Sequence, residues 1–176
     1  MIDFELSAEQ RQLQLGARAF AQQHLRGLRD QMCGKNAAAR FELNKPAYEA
    51  AVNAGYLKLQ VPPPLGGSMN SLVDIALVAE ELVAEESSLP LSVLSTGLGI
   101  MGLLFFGTPK QYAEFLPPFV SGEGAPLAGL SFSEPEGTAN YHNTDPSMGF
   151  STEAWLDGEE VALDVPRAWP VRRCHR

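Results

Sequence analysis

Apolar residues recur at helical spacing through the first two thirds of the chain and then switch to strand-like alternation. Leu13, Ala17, Phe20, Ala21, Leu25 and Leu28 lie three or four positions apart and predict a first helix. Ser7 with Gln10 makes a capping box at its start, with Leu6 as the apolar residue just before. A second helix is predicted between Asn44 and Gly55: Asn caps, Pro46 falls in the first turn, and Gly stops it. The Pro-Gly run Val61 to Gly67 predicts a shaped, non-helical loop. A third helix follows from about Ser71 to Glu86, with Ser71 and Asp74 placed as a cap pair. Apolar positions nearly encircle it, which implies burial on more than one side.

A fourth helix is predicted from Leu91 to Phe106, the most apolar stretch of the chain. It is short for a membrane span and carries Gly97, Gly99 and Gly102, so a buried helix is expected and no membrane. Gly107-Thr108-Pro109 then supplies stop, cap and first-turn proline for a fifth helix ending before Pro117. Residues 1–124 are therefore expected to form an all-helical domain.

From Ala125 the period changes. Leu127 to Phe132 predicts a strand, and Ser133-Glu134-Pro135 makes a corner where the ladder loses a donor. Gly137 frees the backbone that follows, and Thr138 adds a hydroxyl. Such a row of main-chain N–H groups at a strand end suits a flat heterocycle edged with carbonyl and ring-nitrogen acceptors; a plain β-turn without ligand is the alternative. Further on, Phe150, Thr152, Ala154 and Leu156 alternate, Asp157-Gly158 offers a hairpin turn, and Val161, Leu163 and Val165 alternate again. Two or three strands cannot close a barrel, and such a set keeps open edges through which copies of the chain can pair.

The chain has 176 residues, 45% of them hydrophobic, enough for one core plus part of another domain. Its net charge of −8 and pI near 4.8 disfavour a polyanionic partner, so no nucleic acid is expected. Two cysteines, Cys33 and Cys174, make no disulfide framework and fit a reducing compartment such as the cytoplasm. The first residues carry no evident targeting signal.

Candidate chemistry is sparse. Glu80, Glu81, Glu85 and Glu86 are expected to be a solvated helix face with cap support rather than catalytic acids. Asp74 is expected as a first-turn acid favoured by the helix dipole. His24 is expected to be exposed, and His142, Cys174 and His175 do not share metal-ligand spacing with it. No dinucleotide fingerprint, P-loop or nucleophile elbow occurs.

The order of several motifs resembles the acyl-CoA dehydrogenase superfamily of flavoproteins, most of all its nitroalkane oxidase branch. These are Ile2 to Ser7, Val61-Pro62-Pro63-Pro64-Leu65-Gly66-Gly67, Glu80-Glu81-Leu82, Phe119 to Gly124 and, most specific, Ser133-Glu134-Pro135-Glu136-Gly137-Thr138-Ala139-Asn140. The resemblance runs from Met1 to about Pro170. It implies FAD as cofactor and a helical domain followed by the first strands of a middle β-barrel domain over residues 125–170. Leu130, Ser131, Phe132 and Ser133 would touch the flavin ring, Thr138, Ala139 and Asn140 would line its neighbouring edge and phosphate side, and Trp169 would pack on it. Donors so placed stabilise the negative charge of a reduced flavin. Leu94, Leu98, Met101 and Leu104 would wall the acyl-CoA or small nitroalkane substrate, with an ordinary core role as the alternative for each.

The pattern departs from the family after Trp169-Pro170. Val171 stands where relatives carry a hydroxyl residue, Val165-Pro166 replaces glycine and a polar residue, and residues 171–176 diverge. The family places its proton-abstracting carboxylate in a later domain. The expectation is thus a truncated flavin-dependent oxidoreductase, oxidising the carbon α to an activating group in intact relatives and inactive alone. A shifted reading frame or a truncated gene model would account for these departures, and a non-catalytic helical interaction module or a non-functional fragment is the alternative.

Overall fold

The computed structural model describes residues 5–130, 153–157 and 160–164. Residues up to Leu130 belong to one compact unit, and the later strands belong to a second. In the first, the order is α1 (Ala8–His24), α2 (Leu28–Met32), α3 (Ala37–Asn53), two single 3-10 turns (Lys58–Gln60 and Pro63–Leu65), α4 (Leu72–Glu85), α5 (Ser88–Phe106), α6 (Pro109–Phe115) and α7 (Pro117–Val120).

The start of α1 is set by the predicted capping box: Gln10 N donates to Ser7 Oγ at 3.2 Å and Ser7 N to Gln10 Oε1 at 3.1 Å. The predicted periodicity through Leu28 is interrupted, because Gly27 takes a left-handed φ of 76° and splits α2 from α1. Only glycine enters that region without steric cost. Leu25 and Leu28 nevertheless both reach the core.

The second predicted helix is longer than expected. Asn36, not Asn44, is its cap, accepting from Ala39 N at 2.9 Å. Ala37-Ala38-Ala39 have the strongest helix propensity of any residue type and extend α3 upstream. Pro46 therefore lies inside the helix, where it forfeits the backbone bond to Glu42. Asn44 is buried within α3, its Nδ2 3.5 Å from Ser88 Oγ and its Oδ1 without a hydrogen-bond partner among the described residues.

The Pro-Gly loop contains one 3-10 turn, Pro63–Leu65, closed by Gly66. It is pinned by Gly67 N to Pro62 O at 3.2 Å, Ser68 N to Lys58 O at 2.9 Å and Met69 N to Val61 O at 3.0 Å. Helix α4 starts at the predicted Ser71 cap, which accepts from Asp74 N at 3.2 Å. Helix α6 starts at the predicted Thr108 with its Gln111 capping box.

The main core gathers Leu25, Val52, Leu57, Leu82 and Leu89 from α1, α3, α4, α5 and the connections between them. A smaller cluster of Val61, Ile100 and Leu116 ties the far half of α5 to the Pro-Gly loop and to α6. Helix α5 is long and apolar enough by length and composition to cross a membrane. Here Leu89, Val93, Thr96 and Ile100 bury one side of it in the unit. Its glycines admit close neighbours: Gly97 leaves room for the side chain of Gln60, whose Nε2 donates to Val93 O at 3.0 Å.

In the second unit, strands β1 (Glu153–Asp157) and β2 (Glu160–Asp164) pair antiparallel, with Leu156 opposite Val161 and Asp157 opposite Glu160. This is the hairpin the alternation predicts. The strand expected over Leu127 to Phe132 is absent from its described part, since residues 127–130 carry no regular secondary structure. A strand needs a ladder partner to form.

Candidate functional site

Of the residues predicted to contact a cofactor, Leu130 is described; Ser131, Phe132, Ser133, Thr138, Ala139, Asn140 and Trp169 lie outside the described residues. Leu130 is 50% exposed at the end of the helical unit. The segment leading to it is held firmly. Tyr48, from α3, donates its hydroxyl to Pro126 O at 2.7 Å and sits 3.0 Å from Thr96 Oγ1 of α5. Burial pushes the Tyr48 phenol above its ordinary pKa, against the smaller effect of the Thr96 contact, so it remains a protonated donor. Nothing in the local sequence pattern marks Tyr48 out.

The four residues predicted to wall a substrate are all on α5. Leu94, Leu98 and Met101 follow at i, i+4 and i+7 and so share one face. Leu98 is 44% and Met101 41% exposed, while Leu94 is half-buried in an apolar crevice with Tyr56, Ile75 and Leu82. That crevice measures about 10 Å³, no more than one water requires. Leu104 turns instead toward the cluster of Val61, Ile100 and Leu116. Larger open clefts elsewhere on the unit, among them one lined by Ser7, Asn70 and Asp74 and one by Arg29, Arg40 and Glu86, include no predicted site residue.

Among the acidic side chains, Glu80 is exposed, Glu86 supports a cap and Asp74 lies in a first turn, as expected, but Asp74, Glu81 and Glu86 are buried rather than solvated. Glu81 is buried and takes a two-pronged contact from the Arg18 guanidinium, 2.8 Å from Nε to Oε2 and 2.7 Å from Nη2 to Oε1. These hydrogen bonds hold its carboxyl below the ordinary carboxylate value, against the upward push of burial, and raise Arg18 in turn. Glu86 is also buried. It accepts from Ser88 N at 2.8 Å, Ser88 Oγ at 2.7 Å and Leu89 N at 3.0 Å, and so caps α5, whose own cap position Ser87 makes no side-chain bond. Asp74 is buried and accepts from Gln10 Nε2 at 3.0 Å, joining the first turns of α1 and α4. An acid just ahead of a long apolar helix was the available signal for Glu86; Arg18 carried none. His24 is half-buried, its ring 4.5 Å from that of Phe20. Cys33 is exposed and unbridged.

The arrangement is a helical domain that fixes an irregular segment on its most apolar helix and holds its buried acids in internal contacts. Residues 7–123 match the family model for the acyl-CoA dehydrogenase N-terminal domain. The chain belongs to the acyl-CoA dehydrogenase family. Within it, the chain is 39% identical over 171 residues to nitroalkane oxidase of Fusarium oxysporum and 41% identical over 170 residues to that of Podospora anserina. These alignments take in 97% and 96% of this chain and 39% of each relative. A solved nitroalkane oxidase crystallised with 1-nitrooctane superposes with a TM-score of 0.84 at 39% identity, covering 92% of this chain and 38% of that one. A second, of the enzyme described as the flavoprotein nitroalkane oxidase, gives 0.83 at 40% identity over the same shares. The chain thus spans about two fifths of the length of the curated relatives it matches.

Proposed function

We propose that this chain supplies the flavin-contacting N-terminal part of an oxidoreductase that oxidises the carbon α to an activating group. The carrying observation is the likeness to two nitroalkane oxidases along nearly the whole chain. FAD would be held by Leu130, Ser131, Phe132 and Ser133 at its ring, by Thr138, Ala139 and Asn140 along its edge, and by Trp169 packed on it. When bound, FAD supplies the electron acceptor. The donor set fits such a group: hydroxyls of Ser131, Ser133 and Thr138 match ring acceptors, and exposed Leu130 offers apolar surface to a flat ring. Residues 1–124 would be the helical domain and residues 125–170 the beginning of a β-barrel domain, whose open edges allow self-association.

The exposed side of α5 at Leu98 and Met101, with Leu94 beside them, suits an alkyl chain. That is compatible with the acyl group of an acyl-CoA and with a nitroalkane such as the 1-nitrooctane crystallised with the relative. The chain's part is to bind and orient. Its buried acids Asp74, Glu81 and Glu86 are occupied by internal hydrogen bonds, and none is placed as a proton-abstracting base.

The test is to titrate the purified chain with FAD, following flavin fluorescence, and to assay a nitroalkane and an acyl-CoA. Saturable flavin binding with little or no turnover of either substrate is expected. Turnover at the rate of a nitroalkane oxidase overturns the assignment of roles, and no saturable binding overturns the flavin reading. A second reading, a non-catalytic interaction module, draws on the uncovered apolar residues Leu91, Phe105 and Phe106. A stable flavin-free complex by size exclusion with mass measurement would favour it.

A further inference from the structure

Three residues of the helical unit converge on the stretch immediately before Leu130. Tyr48 Oη lies 2.7 Å from Pro126 O and 3.0 Å from Thr96 Oγ1. Thr96 is almost wholly buried and also lies 2.9 Å from Ser92 O within its own helix. Each hydroxyl has one proton: Tyr48 gives its proton to Pro126 O, and the Thr96 proton is shared between Ser92 O and Tyr48 Oη. That chain of bonds runs from α5, through α3, to the backbone of the exiting segment.

One turn further along α5, Gly99 faces the same segment. A Cβ built there would lie 2.6 Å from both the Ala128 carbonyl carbon and the Gly129 nitrogen, and 2.9 Å from Ala128 Cβ. Two of these three obstacles are backbone atoms, so no side-chain rotation relieves the clash. The glycine is a socket that lets residues 128–129 lie directly on the helix. Ala128 also packs on the cluster of Val61, Ile100 and Leu116.

Hydrogen bond and socket act two residues apart on the segment; the Tyr48 ring belongs to the main core, while its hydroxyl and Gly99 meet the segment. We propose that Tyr48, Thr96 and Gly99 are positioning residues: they seat Pro126–Gly129 on α5 and so fix the point from which the flavin-contacting residues begin. This rests on the flavin reading above. The physical reason is preorganisation. Donors aimed at a ligand contribute most when their backbone is fixed before the ligand arrives, and a tether that is ordered only on binding lowers affinity by the entropy of ordering it.

The test uses the full chain with FAD as probe. Tyr48→Phe removes one oxygen and keeps the ring; Gly99→Ala adds one carbon; Thr96→Val keeps shape without the hydroxyl, and Thr96→Ser keeps the hydroxyl. Tyr48→Phe and Thr96→Val are expected to weaken FAD binding about three- to tenfold, the range of one lost hydrogen bond, and Gly99→Ala by at least as much. Thr96→Ser should stay within about twofold of the parent. Backbone order at residues 127–130, read by NMR relaxation, should fall in the three weakened variants, while that of α1 and α4 holds. Unchanged order at 127–130 overturns the seat itself, whether or not flavin binds. Lower order with unchanged FAD affinity overturns its role in positioning. If the parent chain binds no FAD at all, the flavin reading falls, and the seat's purpose with it, while the relaxation data still report whether the seat exists.

Discussion

Removing the Glu86 carboxylate should loosen the start of α5. Its two oxygens receive three donors, Ser88 N, Ser88 Oγ and Leu89 N, all between 2.7 and 3.0 Å. Leu89 is fully buried, so its amide has no access to water once the carboxylate is gone. A hydrogen bond to a charged group contributes about 1.5–3 kcal/mol, and the helix N-terminus adds roughly 0.5 kcal/mol for a nearby anion. Against this stands the cost of keeping a carboxylate out of water, several kcal/mol for a buried ion. The net for Glu86→Ala is about 2–3 kcal/mol, and for Glu86→Gln, which keeps one acceptor oxygen, about half that. Urea unfolding followed by helical circular dichroism reads the difference. With a slope of about 2 kcal/mol per molar urea, the midpoint should fall by about 1–1.5 M in the alanine variant and by about half as much in the glutamine variant. An alanine variant within roughly 0.2 M of the parent refutes the capping role.

Two further outcomes follow from the packing. Glu81 has its folded-state pKa lowered by Arg18, so its contribution is present above the unfolded value, about 4.3, and is lost as pH falls through the folded value. The urea-midpoint gap between the parent and Glu81→Gln should therefore be widest near neutrality and close as pH drops below about 4; a gap independent of pH contradicts the pairing. Leu82 is 1% exposed in the main core, and Leu82→Ala should cost about 2–5 kcal/mol, read as a cooperative shift in the same unfolding curve; a loss below about 1 kcal/mol places Leu82 outside the core.

The helical part of the fold was legible where the signal is local. Ser7 with Gln10, Ser71 with Asp74 and Thr108 before Pro109 mark three helix starts, and all three caps form. The start of α3 was hidden because Pro46 mimics a first-turn proline while sitting in mid-helix. In the glutamate run Glu80 is exposed and Glu86 gives cap support, as expected, while Glu81 departs from expectation for a different reason. Periodicity locates a side chain on a face, but whether that face meets Arg18 across 63 positions of sequence is a tertiary fact. The same holds for Tyr48 and Pro126, 78 positions apart. The hairpin from Glu153 to Asp164 was legible because an alternating pattern and its turn are adjacent in sequence. For the candidate site, the sequence motif named the residues, and the structure adds where the helical unit holds the chain that leads to them.

The central claim, that residues 130–140 hold the flavin ring, is tested most directly by photolabelling the chain with a ring-substituted azido-FAD and mapping the modified peptide. The account predicts label on the peptide that contains Leu130 to Asn140, competed away by excess FAD. Label placed elsewhere on the chain, or unaffected by competing FAD, would contradict it.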